Sequence, residues 1–416
     1  MTQFITITPA LKGKVKQRYS DFIVEEVLLD GKICRVERYD RAFEQRDKQT
    51  MYIPKEKKEH LLLDLEKINI DTVSAVAQIS RGLNVSKTRI GYAGLKDKRG
   101  ITCQRISIFD PDPARVEKFG MRGIEIRHPE WSDKRIELGE LKGNNFVIII
   151  RDISETEEET RRIIEAFSKQ AEKGLPNFFG NQRFGGIRQI THRVGKVLLK
   201  EDYKEAVMLY LTDTYYSEKE DIKNARINFA KTLDVKKALK EFPIDARQER
   251  AMLNHLLRNP NDFAGAIGVL PKKMRYLFVH SYQSFLFNKM LEERIKEFGT
   301  GAIEAIDGDV LENGLPSGLL AGYESKFAEG KAGEIERRVL EGEKTKFEDF
   351  KVAGMSELSS QGSRKSFVLK TENFKLLEID KDEFNEGKLK AKISFFLSKG
   401  NYATTVLREL LKEDIM

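Results

Sequence analysis

A single carboxylate surrounded by cations is the feature of this sequence best suited to chemistry. Residues 94–100 read Gly-Leu-Lys-Asp-Lys-Arg-Gly, so Asp97 lies among Lys96, Lys98 and Arg99. Neighbouring cations favour the ionised form of a carboxylate, and they also attract a phosphate backbone. The arrangement suggests a nucleophile that acts on nucleic acid, but the spacing alone is more typical of a solvated, charged hairpin tip.

The segments on either side predict how this loop is held. Residues 89–93 read as a strand, and residues 104–108 alternate apolar and polar side chains with the period of a strand. Gly94 and Gly100 stand at the two ends of the loop and allow backbone angles that a Cβ atom would forbid. We therefore expect a strand, a tight loop carrying Asp97, and a second strand.

Length and composition predict a soluble protein of more than one domain. The chain has 416 residues, of which 40% are hydrophobic and 33% are charged. No apolar run approaches the roughly 20 residues that a membrane span needs. The first residues lack the basic start and apolar core of a signal peptide. These patterns predict a cytoplasmic protein that does not insert into a membrane.

The potential metal ligands are few and scattered. The two cysteines, Cys34 and Cys103, have no metal-ligand spacing, and no pair of the five histidines has the spacing of a metal-binding helix. We expect reduced cysteines in the core and no metal site.

The charge distribution favours a polyanionic partner. The net charge is +7; residues 12–18 are densely basic, whereas residues 155–159 and 378–386 are acidic. One basic face with acidic surfaces elsewhere suits RNA better than an anionic membrane. A merely solvated basic face remains an alternative.

Periodicity and turn signals predict an α+β chain with a mainly helical middle, residues 187–350. The predicted strands and turns are a strand at 22–27, a turn at 30–31, a return strand at 32–39, a charged loop at 40–58, a strand at 147–150 and a strand at 390–397. The predicted helices are one at 71–81 capped by Asp71 and stopped by Gly82, one opened by Ser154 with Glu157 and ending near Gly174, two near 245–258 and 273–297, and one at 404–411.

Residues 176–186 are the second unusual stretch. They combine phenylalanines with glycines, amides and Arg183, and no helix or strand period explains them. Such a loop offers stacking faces and hydrogen-bond donors to RNA. A tightly packed aromatic loop between domains is at least as consistent with the composition.

These motifs resemble the TruD type of tRNA pseudouridine synthase. The matching segments are Lys16 ahead of Phe-Ile-Val-Glu-Glu at 22–26, Ala-Gly-Leu-Lys-Asp-Lys at 93–98 with Thr102 and Gln104, Leu-Lys-Gly-Asn-Asn-Phe at 141–146, the aromatic stretch 176–185, and residues 400–410. Residues 187–349 match only weakly, near 281–288 and 307–309. Because the matching segments are spread along the chain, the resemblance covers most of 12–186 and 350–416.

The resemblance implies the fold and the reaction. Residues 1–186 and 350–416 would form a pseudouridine synthase catalytic domain with a mixed, largely antiparallel sheet. Residues 187–349 would form an inserted TRUD-type domain that faces it across a basic cleft. The implied activity is isomerisation of a uridine in tRNA, usually uridine 13, to pseudouridine by a monomer that needs no metal or organic cofactor.

The resemblance also implies roles for individual residues. Asp97 would attack C1′ or remove the C2′ proton, and Lys16 would hold this carboxylate or oppose developing charge. Phe146 would stack on the target base. Asn144, Gln182 and Arg183 would contact RNA or brace their loops.

Two other classes of function are weighed against this one. A non-catalytic RNA-binding protein would need the basic face and the aromatic loops but not Asp97. An RNA methyltransferase would need a glycine-rich loop between a strand and a helix for its cofactor, and the sequence has no convincing example.

Overall fold

The computed structural model describes residues 4–38, 51–186 and 188–413. The chain divides into two compact units, one of residues 6–174 and 370–413 and one built on residues 175–369, which we call the sheet unit and the helical unit. The division falls at 174/175 and 369/370, so the aromatic stretch 176–186 packs within the helical unit. The assignment of 1–186 with 350–416 to catalysis, and of 187–349 to an insert, stays a prediction.

The bounds of the regular elements follow the chain order. The strands are β1 (Phe22–Val27), β2 (His60–Ile68), β3 (Ile90–Tyr92), β4 (Ile101–Phe109), β5 (Ile124–Ser132), β6 (Gly143–Ile153), β7 (Leu175–Pro176), β8 (Val310–Glu312), β9 (Leu315–Leu320), β10 (Ser363–Ser366), β11 (Val368–Leu369), β12 (Glu372–Lys381) and β13 (Leu389–Ser398). The α-helices are α1 (Thr72–Leu83), α2 (Pro113–Glu117), α3 (Glu157–Lys173), α4 (Thr191–Leu198), α5 (Tyr203–Thr212), α6 (Glu220–Thr232), α7 (Val235–Glu241), α8 (Arg247–Arg258), α9 (Phe263–Gly268), α10 (Lys272–Phe298), α11 (Gly330–Gly342) and α12 (Ala403–Leu411).

One sheet forms the frame of the sheet unit. Its strand order is β12-β13-β6-β1-β4-β2-β5, with β3 paired to β4. β1 runs parallel to β4, whereas the other neighbours pair antiparallel. The expected α+β fold with a mixed, largely antiparallel sheet is confirmed.

The register of this sheet aligns five residues from five strands. The aligned residues, which we call the cross-strand row, are Phe395, Phe146, Val24, Thr102 and Lys67. Directly opposed residues on neighbouring strands point to the same face of a sheet. The ring of Phe146 and the side chain of Thr102, which lies on the strand that follows Asp97, therefore point to the same face of the sheet.

Helix α1 covers the β2 and β4 end of that face. Its buried residues Val76 and Ile79 pack with Leu63, Leu65 and Ile106 in one hydrophobic cluster. On β2, Leu63 and Leu65 alternate with Asp64 and Glu66, so this packing leaves these two carboxylates on the opposite face. The predicted helix is thus confirmed by the apolar face that it buries.

The predicted ends of two helices are partly wrong. Asp71 caps α1 through the N–H of Ser74, as predicted, but α1 continues through Gly82. The helix ends at Asn84, which adopts the left-handed conformation that asparagine tolerates. Thr156 caps α3 instead of Ser154, and the helix ends at Gly174 as predicted.

The N-terminal hairpin is confirmed at its turn but not along its return strand. Gly31 has a φ of +87° and donates its N–H to the carbonyl of Leu28. Beyond one bridge at Ile33, the described residues of 32–39 form no strand. The N–H of Val36 bonds to Glu25, and the N–H of Glu37 bonds to Glu66, so buried carboxylates replace a strand partner. Of the predicted loop 40–58, residues 51–58 are irregular and residues 40–50 lie outside the described ranges.

The helical unit confirms the predicted helical middle of the chain. The two predicted helices near 245–258 and 273–297 correspond to α8 and α10. The buried side chains of α10 join those of α4 and α5 in one hydrophobic core. No helix among the described residues is long and apolar enough to cross a membrane.

A buried ion cluster fastens the segment before β1 to the sheet. The guanidinium of Arg151 on β6 lies 2.8 Å from both Asp21 and Asp382. All three side chains are almost inaccessible to solvent. The backbone groups of Arg151 also pair with those of Lys14. This cluster therefore holds the two ends of the segment that contains Lys16.

We predict that Arg151→Met lowers the free energy of unfolding by about 3–5 kcal/mol, because it leaves two buried carboxylates without their cation. Chemical denaturation of the purified variant would measure this loss. Lys14→Met is the matched control, since it removes a pair with Asp152 whose lysine is solvent-exposed. Equal stability of the two variants would contradict the prediction.

Candidate active site

The structure places Asp97 next to Lys16. Asp97 lies in the loop between β3 and β4, where half of its side chain is exposed to solvent. Its Oδ2 atom lies 3.9 Å from the Nζ atom of Lys16, whose side chain is only 9% exposed. A solvent-accessible carboxylate is thus held beside a nearly buried cation.

Lys16 occupies a strained backbone conformation. Its φ is +59°, in the left-handed region, which costs a non-glycine residue roughly 1–2 kcal/mol. Arg99 stabilises this geometry by donating to the carbonyl of Lys16 at 2.8 Å. The ammonium lies 4.2 Å from the ring centre of Phe22. Burial lowers the pKa of Lys16, Asp97 opposes this shift, and Arg99 adds to it.

Lys96 does not have the role that the loop sequence suggested. Its ammonium lies 2.6 Å from Glu26, and both side chains are buried. Burial raises the pKa of Glu26, and Lys96 opposes the increase. Lys96 is therefore paired with a carboxylate other than Asp97, contrary to what the loop sequence suggested.

The basic segment 12–18 is also more neutral than its sequence suggests. Lys14 lies 2.8 Å from Asp152, and Arg18 lies 3.4 Å from Glu383. These acidic partners come from distant parts of the chain. Sequence proximity alone therefore overestimates the positive charge that this segment presents.

A buried polar network supports the loop from below. Thr72 accepts the N–H of Lys96 at 2.9 Å and donates to Gln104 at 2.8 Å. Gln104 in turn donates to the carbonyl of Gly94 at 2.9 Å. At the other end of the loop a Cβ on Gly100 would stand 2.5 Å from the carbonyl of Phe22, so only glycine fits. The loop is therefore anchored at both ends.

Phe146 lies in an aromatic cluster. Its side chain is buried, and its ring centre is 6.1 Å from that of Phe22 and 5.5 Å from that of Phe395. Phe22 thus connects Phe146 to Lys16. The contacts fit a core residue, and they also place the ring on the site face of the sheet.

Two polar atoms near this ring have no protein partner. In the described ranges, neither Oδ1 of Asn144 nor Oγ1 of Thr102 accepts or donates a hydrogen bond, although both atoms are buried. Thr102 belongs to the cross-strand row, and Asn144 lies on β6 two residues before Phe146. Buried polar atoms are normally paired. These two are therefore candidates for contacts to a bound ligand.

The remaining two predicted residues belong to the helical unit. Gln182 is exposed in a short 3₁₀ helix, Asn181–Phe184. Arg183 donates to Ser284 on α10 at 2.9 Å, and its guanidinium lies 5.5 Å from the ring centre of Phe179. Asn288 bonds to the backbone N–H and carbonyl of Phe179. Arg183 therefore braces the aromatic loop, and its proposed contact with RNA stays a prediction.

The described residues contain no group of three or more His, Cys, Asp or Glu placed to hold a metal ion. Cys34 and Cys103 are buried free thiols, as predicted. Burial raises the pKa of both thiols well above the usual range. Neither thiol is therefore suited to act as a nucleophile near neutral pH.

Comparison with known proteins identifies the family. The family model described as tRNA pseudouridine synthase D (TruD) matches residues 1–315 and 311–410. The chain belongs to the TruD family. It is 38% identical over 447 residues to the probable tRNA pseudouridine synthase D of Methanosarcina barkeri, covering 100% of this chain and 96% of that one. The corresponding protein of Methanosarcina acetivorans is also 38% identical, over 99% of this chain and 95% of its own.

A solved structure extends this match to the fold. The crystal structure of the putative tRNA pseudouridine synthase D from Methanosarcina mazei superposes with a TM-score of 0.80 and 36% identity. The match covers 100% of this chain and 97% of that one. The chain described above therefore has the fold of this TruD relative over its whole length.

Sequence reasoning missed the supports beneath Asp97. Thr72 falls within the helix predicted at 71–81, and Glu26 falls within a predicted strand and the motif at 22–26, but neither position indicates a contact with the loop. Lys67 was not singled out at all, yet it interrupts the line Leu61, Leu63 and Leu65 at the next position on the buried face of β2. A lysine in that register was the available signal.

We predict that Phe146→Leu lowers turnover beyond its effect on stability, because stacking of a base on an aromatic ring contributes about 1–3 kcal/mol. Phe146→Tyr is expected to keep most activity, since the face of the ring survives. Turnover and melting temperature should be measured on both variants.

Phe395→Leu is the matched control, because it removes the neighbouring ring of the cross-strand row. It is expected to lower the melting temperature with near-normal turnover. If Phe146→Leu behaves in the same way, Phe146 is a core residue only.

Proposed function

We propose that this TruD protein converts a uridine of tRNA, uridine 13, to pseudouridine, with Asp97 as the group that acts on the ribose. The observation that carries the proposal is a half-exposed carboxylate on an anchored loop, 3.9 Å from a buried lysine. The relatives named above support tRNA as the substrate class.

The reaction rearranges bonds within one nucleotide. The N1–C1′ bond breaks, the uracil turns within the pocket, C5 bonds to C1′, and the C5 proton is lost while N1 gains one. Atoms and electrons balance without an added reactant. Uracil leaves as a delocalised anion, so it does not need the second carboxylate with which glycosidases protonate a poor alcohol leaving group. One carboxylate therefore suffices.

Asp97 acts in its ionised form in either of two routes, attack on C1′ or removal of the C2′ proton. The ammonium of Lys16, 3.9 Å from this carboxylate, is placed to stabilise negative charge that develops during the reaction. Because Lys16 is mostly buried, the lysine and the carboxylate interact with less screening than an exposed pair. Lys98 and Arg99, both exposed on the same loop, are suited to contact the phosphates next to the target.

The target base must leave its stack before it reaches Asp97. Extrusion of a nucleotide costs a few kcal/mol, which contacts to the extruded base and its phosphates offset. The ring of Phe146 supplies a stacking surface, and Oδ1 of Asn144 supplies an unpaired acceptor for an N–H of uracil. Phenylalanine has no acid or base function, so the C5 proton leaves by another group.

We predict that Asp97→Asn folds and binds tRNA but forms no detectable pseudouridine, because the amide keeps the shape of the side chain and removes its charge. The measurement is tritium release from tRNA labelled at uracil C5, without any added cofactor. A transcript with cytidine at position 13 is the matched substrate control and is expected to release nothing.

Each outcome of this assay has a distinct meaning. Release by the unchanged protein supports isomerisation, whereas release only after a methyl donor is added would favour a methyltransferase. Binding without release would favour a passive RNA-binding protein. Turnover by Asp97→Asn near that of the unchanged protein would remove Asp97 from the mechanism.

We predict that Lys16→Met slows the single-turnover reaction roughly 100-fold, as the loss of one preorganised electrostatic contact does in other enzymes, with little change in tRNA affinity. A lysine that contacts phosphate would behave in the opposite way and would reduce the salt slope of binding by about one. Lys98→Met, at an exposed position, is the comparison variant. A normal rate with weaker binding for Lys16→Met would overturn the assignment.

A further inference from the structure

Lys67 is a buried lysine whose hydrogen bonds go to backbone oxygens. It lies on β2 with 1% of its surface exposed. Fully buried lysines are rare unless they are paired. Within the described ranges, no carboxylate oxygen lies within ion-pair distance of its ammonium; Asp71 and Asp97 act on it only through longer-range attraction. The charge therefore needs an explanation other than a salt bridge.

The two acceptors of Lys67 indicate its role. The ammonium donates to the carbonyl of Ile70 at 2.6 Å, just beyond the end of β2. It also donates to the carbonyl of Asp97 at 3.1 Å. A single side chain thus ties the backbone of the candidate catalytic residue to the frame of the sheet. Hydrogen bonds from a charged donor are roughly twice as strong as neutral ones.

Two nearby carboxylates favour the protonated form of this donor. Burial lowers the pKa of Lys67 to about 8, Asp71 and Asp97 oppose the decrease, and Lys96 adds to it. Asp71 stands at the start of α1, and Asp97 and Lys96 belong to the loop itself. Lys67 is therefore surrounded by the elements that meet at Asp97.

We propose that Lys67 is a positioning residue for catalysis, which fixes the backbone of Asp97 and so aims its carboxylate at the ribose. The inference rests on the proposed function, because it assumes that Asp97 reacts. The network of Thr72 and Gln104 holds the loop at Gly94 and Lys96, before the reactive residue. Lys67 holds the carbonyl of Asp97 itself. Asp97 belongs to no helix or strand, so the hydrogen bonds of regular structure do not fix its backbone.

The test compares Lys67→Met with Lys67→Arg in single-turnover pseudouridine formation and in tRNA binding. Lys67→Met keeps the apolar stem of the side chain and removes its hydrogen-bond donor. A displacement of the reactive carboxylate by about 1 Å is expected to slow the reaction on the order of 100-fold. Affinity for tRNA should change less than about threefold, since a lysine that is 1% exposed offers little surface to RNA. Lys67→Arg, which keeps a charged donor, should recover most of the rate.

Leu61→Ala is the control for stability, because Leu61 is fully buried at the other end of the same strand, opposite Ile108 and Trp131. Melting temperatures place the variants on one scale.

Lys67→Gln, a milder change, replaces Lys67→Met if the latter does not fold at the assay temperature, and it is expected to lose rate in the same direction. A rate for the neutral variant within twofold of the unchanged protein, or an equal loss in Leu61→Ala at equal stability, overturns the inference.

Asp97→Asn in the same assay separates this inference from the proposed function. An inactive Asp97→Asn with a normal neutral variant of Lys67 rejects only the role of Lys67. An active Asp97→Asn rejects the proposed function, and with it any positioning of Asp97 by Lys67. Slow neutral variants with an inactive Asp97→Asn support both.

Discussion

The candidate site depends on keeping one carboxylate exposed on a loop that belongs to no helix or strand. A loop of this kind is normally mobile, since ordering each residue costs about 1–2 kcal/mol of conformational entropy. The sheet unit offsets this cost with side chains that bond to the loop backbone from beneath. Thr72 and Gln104 hold the beginning of the loop, and Lys67 holds Asp97. The carboxylate stays free for substrate because its own main chain is fixed by other groups.

This way of anchoring requires several charges to be buried, and they differ in how they are compensated. Glu26 and Lys96 form a buried pair, so removing either one would leave an isolated charge that is more costly than the pair itself. Lys16 has a partial partner in Asp97, and it also interacts with the face of Phe22. Lys67 relies on two carbonyl dipoles. The compensation is weakest for Lys16 and Lys67, the two buried lysines that interact with Asp97.

The sequence predicted most of the regular structure because burial enforces its periodicity. The strands on both sides of Asp97, α1, β6 and the two long helices of the middle region follow from apolar patterns that the two hydrophobic cores require. The prediction of a return strand after Gly31 was wrong because the carboxylates of Glu25 and Glu66 accept hydrogen bonds from N–H groups of that segment. That competition depends on side chains from different strands. Local patterns hold no information about it.

The sequence indicated residues of the candidate site, but it did not predict the hydrogen bonds and ion pairs between them. The motif around Asp97 marked the carboxylate, and the family resemblance marked Lys16, which lies beside it in space but far away along the chain. The pairing of Lys96 with Glu26 could not be read from the loop, because the nearest acid in sequence is Asp97. Lys67 was visible only as a lysine in a line of leucines. Its partners depend on the register between β2 and β4 and on the path of the loop.

A cluster of cations around a catalytic acid can therefore consist of groups with different physical roles. Of the three in the loop, Lys96 is buried against Glu26, and Arg99 donates to the carbonyl of Lys16. Only Lys98 is exposed without such a described contact in the parts of the chain that the structure covers. Meanwhile the cation that pairs with the carboxylate of Asp97 is Lys16, from the segment before β1. The basic motif thus contributes partly to the geometry of the loop, and fewer of its cations face solvent without another role than a count of charges implies. The sequence marks the candidate site, but burial decides which of these cations serve the structure and which are available to a substrate.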